Sequence, residues 1–276
     1  MSKRARKITL EILAVLLSVI IFWIPFYFVI INSVKDKTES ALLDINWPKT
    51  FRIWQNYKEV LTAQDHMVVR AFFNSAVITL VSIAILVVVC AMAGYVMQRR
   101  PDRWSGLISF LVLAGLMIPP AVVPTIWVLD SIHLFKTITG LVLIEVALGF
   151  SFSVILYRGF MATIPREIDE AAIVDGCGSV RLFFQMIFPL LMPVNSTVIV
   201  LSSVGIYNDF VNPLYFLPGA KNATVQLTLY NFTSMYNTSW NLLFADIMLI
   251  SIPPLILFIF FNKRIVAGMT AGAVKG

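Results

Sequence analysis

The chain has 276 residues, of which 59% are hydrophobic and only 13% are charged, whereas soluble globular domains carry roughly 25% charged residues. This composition excludes an ordinary soluble domain and indicates a protein that crosses a membrane several times. The formal net charge of +6 does not indicate nucleic-acid binding, because the basic residues lie in short segments between long apolar runs, where they orient membrane helices.

Six apolar runs are long enough to cross a bilayer, which takes about 20 residues in a helix. The first run exceeds the apolar part of a cleaved signal peptide, about 7–15 residues, so we predict that it remains as a helix. The predicted fold is therefore all-α, a polytopic membrane protein with six transmembrane helices within residues 12–264. In chain order the predicted spans are 12–34, 71–98, 104–129, 137–157, 182–208 and 243–262.

Prolines lie within or at the entrance of three of these spans, and each removes one backbone hydrogen bond. Freed carbonyls at membrane depth are tolerated where they are packed in protein or line a wet cavity. The prolines therefore indicate either a transport path or the ordinary proline content of membrane helices. They are Pro119, Pro120, Pro124, Pro189, Pro193, Pro253 and Pro254.

Six crossings place both termini on the same side of the membrane. Thirteen lysines and arginines lie on that side and eight on the other. The positive-inside rule therefore predicts a cell-membrane protein with a cytoplasmic N-terminus, residues 1–11, and a cytoplasmic tail, residues 265–276. Segments 35–70 and 209–242 are then external, and the loop 158–189 is cytoplasmic.

The loop 158–189 is predicted to contain two short helices hinged at a glycine. Pro165 suits the first helical position, acidic residues complement the helix dipole, and Gly176 suits a left-handed stop. A second helix is predicted to start with Ser179 as its N-cap. The first helix has a narrow apolar face of Ile168, Ala171, Ala172 and Asp175, and the second has a face of Val180, Phe183, Phe184 and Ile187.

The small alanines of the first helix let another backbone approach closely, which favours docking into a groove on a partner protein. The alternative is an amphipathic helix lying on the membrane surface. Such helices normally have a wide, bulky apolar face and basic flanks, and this helix has two alanines and several acids instead.

The sequence Glu170-Ala171-Ala172, followed by Gly176 and Pro189, resembles the EAA loop of ABC importer permeases. Met186 and Phe188 replace that motif's usual isoleucine and leucine, and both replacements are apolar. The likeness extends along most of the chain to the maltose-type branch, which imports carbohydrates. The segments that carry it are Asn74-Ser75, Gly94-Tyr95 with Arg99, Ile118-Pro119, Arg158-Gly159-Phe160, Asn208-Asp209-Phe210, Pro213-Leu214 and residues 268–276.

The resemblance implies a permease subunit of the type I importer fold that moves a sugar or oligosaccharide into the cytoplasm by alternating access. It implies as partners a homologous second permease, a dimer of ABC ATPase subunits and an extracellular sugar-binding protein. ATP and Mg²⁺ would be held by the ATPase and no cofactor by this chain, whose sequence contains no G-x-x-x-x-G-K-[ST] phosphate loop. The residues expected to couple to the ATPase are Arg166, Ile168, Glu170, Ala171, Ala172, Asp175, Gly176 and Pro189.

Candidates for the pathway or for contact with the binding protein lie in the spans and on the outer side. Ionisable groups inside spans are costly unless they face a cavity or a partner group, although snorkelling to the interface is an alternative. External aromatic residues could stack on sugar rings or form an interfacial belt. The candidates are Glu145, Asn208, Asp209, Asp246, Tyr230, Tyr236 and Trp240.

Two further functions remain open from the sequence. An ion-coupled secondary transporter would use Glu145 and Asp246 as coupling groups and would need no ATPase. An ABC permease for a solute other than a sugar would share the same coupling loop. His66 and His133 lack companion ligands, so we expect no metal site.

Overall fold

The computed structural model describes residues 3–100, 102–233 and 238–273, and the side chains of residues 7–100, 102–233 and 238–261. Within these ranges the chain forms helices and turns and no strand. Four helical stretches are each long and apolar enough to cross a membrane, and two bent helix pairs raise the possible number of crossings to six. All six predicted segments are therefore helical.

The six spans are numbered in chain order. Span 2 is residues 67–99 of the helical run Ile53–Arg99, whose residues Ala63–His66 have non-helical backbone angles. The others are span 1, Lys7–Ser33; span 3, Ser105–Met117 with Val122–Ser131; span 4, Ile138–Met161; span 5, Ser179–Leu190 with Met192–Tyr207; and span 6, Trp240–Phe261.

Prolines break two spans and leave a third continuous. Span 3 bends by 115° between Met117 and Val122, where Ile118 is extended because the following Pro119 disfavours a helical conformation. Span 5 bends by 75° at Leu191, between two prolines. Pro253 and Pro254 instead lie inside the uninterrupted helix Trp240–Ala273.

The chain divides into two compact units. The first comprises the described residues of Met1–Ala71 and Val225–Pro253, and the second those of Phe72–Thr224 and Pro254–Gly276. The first unit thus contains span 1 and most of the predicted external segments. The second contains span 2 from Phe72 onward, spans 3 to 5 and the predicted cytoplasmic loop.

A buried polar network organises the first unit. Lys35 is fully buried, and its Nζ donates to Asp44 Oδ1 at 2.6 Å and to the Asp44 carbonyl at 2.9 Å. Asn56 Nδ2 donates to the carbonyls of Ser33 and Lys35, each at 2.8 Å, and Asn241 Nδ2 donates to Asn56 Oδ1 at 2.9 Å. The hydrogen bond from Lys35 lowers the pKa of Asp44. Segment 35–70 is therefore tied to the start of span 6.

The second unit has a continuous apolar core in which span 2 crosses span 4 closely. A Cβ on Gly94 would lie 2.6 Å from Tyr157 Cβ and 3.0 Å from the Arg158 backbone nitrogen. Such distances allow no side chain, so glycine lets the two backbones meet at the predicted cytoplasmic end of the core. The buried members of this core include Leu86, Cys90, Tyr157, Met161, Ala172, Leu182, Phe183, Ile187 and Leu191.

Candidate functional site

The first helix of the loop 158–189, hereafter the loop helix, spans Glu167–Val174. The Arg166 carbonyl accepts the first helical hydrogen bond, from Glu170 N at 3.1 Å, so Arg166 is the N-cap. The prediction that Pro165 occupies the first helical position was wrong, because Pro165 precedes this cap. Glu167, Asp169 and Glu170 lie in the first turn, where their charges complement the helix dipole.

The loop helix ends in a Schellman motif. Gly176 has φ +76°, and its amide donates to the Ile173 carbonyl at 3.0 Å. The amide of Cys177 donates to the Ala172 carbonyl at 2.9 Å. These are the two hydrogen bonds that define the motif, which calls for a left-handed residue at this position. The predicted left-handed stop at Gly176 is confirmed.

The narrow apolar face predicted for the loop helix is divided between the core and the surface of the chain. Ala172 is buried and Ile168 half-buried against the core of this chain, whereas both were predicted on the narrow face that docks on a partner. Ala171 and Asp175 are exposed, and Asp169 is buried in their place. The prediction grouped residues by helical spacing alone, whereas Asp169 is drawn inward by a cation at the end of span 2.

The exposed face of the loop helix combines charge with apolar surface. Glu170 and Asp175 are exposed, as is Ala171. Ile173 is 59% exposed and Val174 86% exposed, although nothing in the helical pattern predicted free apolar residues there. This face is short, acidic at both ends and apolar in the middle.

Arg99 provides the inward cation, a pairing that was not predicted from the sequence. Its Nη2 lies 3.0 Å from Asp169 Oδ2 and donates to the carbonyls of Ile164 at 2.9 Å and Pro165 at 3.2 Å. The two charged side chains are 7% and 12% exposed. The sequence feature that could have indicated this pairing is an arginine at the end of one span together with an acid in the first turn of the loop helix.

The second helix of the loop 158–189 has its N-cap one residue earlier than predicted. Gly178, rather than Ser179, is the N-cap, and no side-chain hydrogen bond caps this end. Residues Leu182–Ile187 then form a π-helix, which changes the angular spacing of side chains. Leu182, Phe183 and Ile187 are buried, whereas Val180 and Phe184, predicted to share one face with Phe183 and Ile187, are exposed.

Pro189 lies in the next turn, Phe188–Leu190, just before the bend of span 5. Its side chain is exposed. The loop therefore continues into the second half of span 5, Met192–Tyr207, through a π-helix and a proline-flanked bend.

Among the candidate pathway residues, Glu145 and Asp209 both accept hydrogen bonds from Asn212 in the second unit. Glu145 is 7% exposed and accepts a hydrogen bond from Asn212 Nδ2 at 3.4 Å. Asp209 Oδ1 accepts from the amides of Val211 at 2.9 Å and Asn212 at 3.2 Å. Asn208 is exposed beside this cluster. The burial of Glu145 argues against snorkelling.

The remaining candidates lie in the first unit or outside the described residues. Asp246 is fully buried and accepts a hydrogen bond from Thr228 Oγ1 at 2.8 Å. Tyr230 is 56% exposed, and half-buried Trp240 stacks on Phe244 with ring centroids 6.0 Å apart. Tyr236 lies outside the described residues. Across the described part of the chain, no three His, Cys, Asp or Glu side chains form a group that could hold a metal ion.

Comparison with known proteins gives a family match over a range of the chain that includes the loop 158–189. The family model of the binding-protein-dependent transport system inner membrane component matches residues 87–271. The probable starch degradation products transport system permease protein AmyC of Thermoanaerobacterium thermosulfurigenes is 33% identical over 98% of this chain and 97% of its own length. The melibiose/raffinose/stachyose import permease protein MelC of Bacillus subtilis is 28% identical over 99% of this chain and 100% of its own length.

The fold also matches a solved structure. The crystal structure of a bacterial ABC transporter involved in the import of the acidic polysaccharide alginate contains a chain that aligns with a TM-score of 0.79. The alignment covers 95% of this chain and 98% of that one at 17% identity. At this identity the likeness concerns the arrangement of helices.

Proposed function

Because this chain belongs to the family of binding-protein-dependent transport system inner membrane components, we propose that it is the permease subunit of an importer for a sugar or oligosaccharide. An extracellular binding protein delivers the sugar, and the spans carry it into the cytoplasm by alternating access. The named substrates of two full-length relatives, starch degradation products and melibiose, raffinose or stachyose, support a carbohydrate.

The loop helix is the part of the chain that couples to a dimer of ABC ATPase subunits, which hold ATP and Mg²⁺. The observation that carries this proposal is the shape of its exposed face. A Schellman motif fixes its end, and Glu170, Ala171, Ile173 and Val174 project from the chain. An apolar patch next to a carboxylate is suited to a cleft that combines apolar walls with a donor group.

The loop helix transmits force because it is a short rigid body held on the core. Closure of the ATPase dimer displaces it, and the spans follow between inward-facing and outward-facing states, as in other two-state elements biased by a ligand. This arrangement requires the loop 158–189 and both termini to be cytoplasmic.

A second, homologous permease subunit completes the pathway. The exposure of span 1 supports such a partner. Only 6% of its most apolar stretch is buried within this chain, against 33–44% for the other unbroken helices that could cross the membrane. Span 1 therefore contacts lipid or another subunit over most of its surface. Glu145, Asp209 and Asp246 are proposed to face the pathway, and Asn208, Tyr230, Tyr236 and Trp240 to lie near the pathway or the docked binding protein.

Reconstitution of the complete complex in proteoliposomes tests this function. We expect accumulation of a labelled oligosaccharide that requires ATP on the loop side and the binding protein on the other. ATP-independent uptake by the chain alone, driven by a proton or sodium gradient, would replace the proposal with secondary transport. Stimulation of the ATPase by an amino acid or inorganic ion, and by no sugar, would show that the substrate is not a carbohydrate.

A further inference from the structure

Arg99 joins three parts of the protein at one point. It is the last residue of the helix that contains span 2, and its Nη2 contacts the carbonyls of Ile164 and Pro165 as well as the Asp169 carboxylate. The two carbonyls belong to the segment that enters the loop helix, and Asp169 belongs to its first turn. A single buried guanidinium thus holds both the approach and the start of the loop helix.

A second arginine contact and a pocket lie beside the Arg99 contacts. Arg166 Nη2 reaches the Gln98 carbonyl at 3.4 Å, so a second arginine links the same two elements in the opposite direction. A pocket of about 180 Å³ lies beside them, lined by Arg99, Arg100, Asp169 and Glu170 among others. Arg100 is exposed although it is adjacent in sequence. Position in the fold, rather than charge alone, therefore distinguishes Arg99.

A buried ion pair is a poor source of net stability, because desolvation of both charges offsets their attraction. Removal of one partner is costly, since it leaves the other charge buried and uncompensated. Such pairs are best attested as devices that fix one arrangement of neighbouring elements. Here the elements are the end of span 2 and the helix that faces the ATPase.

We propose that Arg99 is a positioning residue whose contacts, hereafter the lock, hold the loop helix to the end of span 2. The two elements then move as one rigid body, hereafter the lever. The proposal rests on the proposed function, since the lever matters only if a partner pushes on the loop helix. Without the lock, the partner would displace the loop helix while span 2 stayed behind.

Hydrogen exchange of the purified full-length chain in nanodiscs tests the lock without any partner. Arg99→Gln is expected to raise exchange in residues 164–176 by about tenfold, the effect of losing one buried charged hydrogen-bonding group. Arg100→Gln removes the same charge from an exposed side chain and should leave this exchange within about twofold of the parent. Equal effects of the two variants would overturn the proposal. Arg99→Lys, which keeps the charge, provides the measurement if Arg99→Gln does not accumulate in the membrane.

The reconstituted complex tests the lever itself, through the amount of sugar imported per ATP hydrolysed. We expect Arg99→Gln and Asp169→Asn each to lower this ratio, and the double variant to lower it no further than the worse single variant, because linked residues are not additive. A ratio in the double variant that fell by the product of the two single losses would overturn the proposal. Failure of the parent complex to couple ATP to uptake would refute the proposed function instead, and the exchange result would still decide the lock.

Discussion

Gly176 and Gly178 differ in backbone conformation and not in the space around them. A Cβ added at either position would meet nothing within 4 Å. Gly176 has φ +76°, whereas Gly178 has φ −68° and serves as an N-cap. The left-handed conformation costs a residue with a side chain roughly 1–2 kcal/mol, while serine is a favoured N-cap.

We therefore expect Gly176→Ser to weaken the end of the loop helix and to lower sugar uptake per ATP in the reconstituted complex. Gly178→Ser is the matched control and should remain close to the parent protein. Both variants should reach the membrane in similar amounts, since the loop contributes little to insertion. Equal coupling in the two variants would show that the left-handed turn has no part in transmission.

Asp44 makes the first unit sensitive to acid. Its hydrogen bond from Lys35 lowers its pKa in the folded protein, so the ionised form stabilises the fold above the unfolded-state pKa. This contribution is lost as the pH falls through the folded-state pKa, because the carboxyl must then take up a proton. Buried Lys35 would be left with a neutral partner.

We expect the thermal unfolding midpoint of the full-length chain, followed by tryptophan fluorescence, to fall as the pH is lowered from neutral into the acid range. Asp44→Asn should have a lower midpoint at neutral pH and a weaker dependence on acid. Glu59→Gln removes a carboxylate from an exposed side chain of the same segment and should retain the parent's dependence. A dependence unchanged in Asp44→Asn would contradict this role.

At the scale of elements, the crossing of spans 2 and 4 depends on Gly94. Gly94→Ala places a Cβ against backbone and Cβ atoms that cannot move independently, and overpacking of this kind costs about 1–3 kcal/mol. Gly106→Ala adds the same group to a helix where nothing lies within 4 Å, and alanine is the better helix former there. Thermal unfolding in detergent should therefore separate the variants, with the Gly94→Ala midpoint lower and the Gly106→Ala midpoint equal or higher. The reverse order would disprove the close crossing.

The sequence predicted elements well where the cause is local. Hydropathy located all six spans, and the conformational freedom of glycine located the end of the loop helix at Gly176. The prolines marked the breaks in spans 3 and 5, but Pro253 and Pro254 did not break span 6. A proline removes a hydrogen bond, and its neighbours determine whether the helix bends.

The sequence failed where the cause is distant along the chain. Asp169 faces inward because Arg99, in another span, lies beside it, and no periodicity within the loop records this. The exposed and buried faces of the second loop helix were assigned wrongly, because a π-helix altered the angular spacing of side chains that the prediction assumed. The contacts of the pathway candidates likewise depend on tertiary packing, which brings Glu145 and Asp209 together.

At the scale of the whole molecule, membrane orientation can be tested through the two natural cysteines. Cys90 is buried in the core of the second unit, whereas Cys177 is half-buried in the loop and lines the pocket beside Arg99. We expect a membrane-impermeant maleimide to leave the chain unlabelled in intact cells and to label it after the membrane is opened. Cys177→Ser should abolish that labelling. Labelling of Cys177 in intact cells would place the loop outside and contradict the proposed topology.

The most direct test of the central claim is a cross-link from the exposed face of the loop helix in the assembled complex. A photo-reactive amino acid at Val174, which is 86% exposed, should form a product with the ATPase subunit. The same group at Trp54, which is 77% exposed in the segment 35–70 that is proposed to be external, should form none. An ATPase product from position 54, or its absence from position 174 in a complex that imports sugar, would contradict the account.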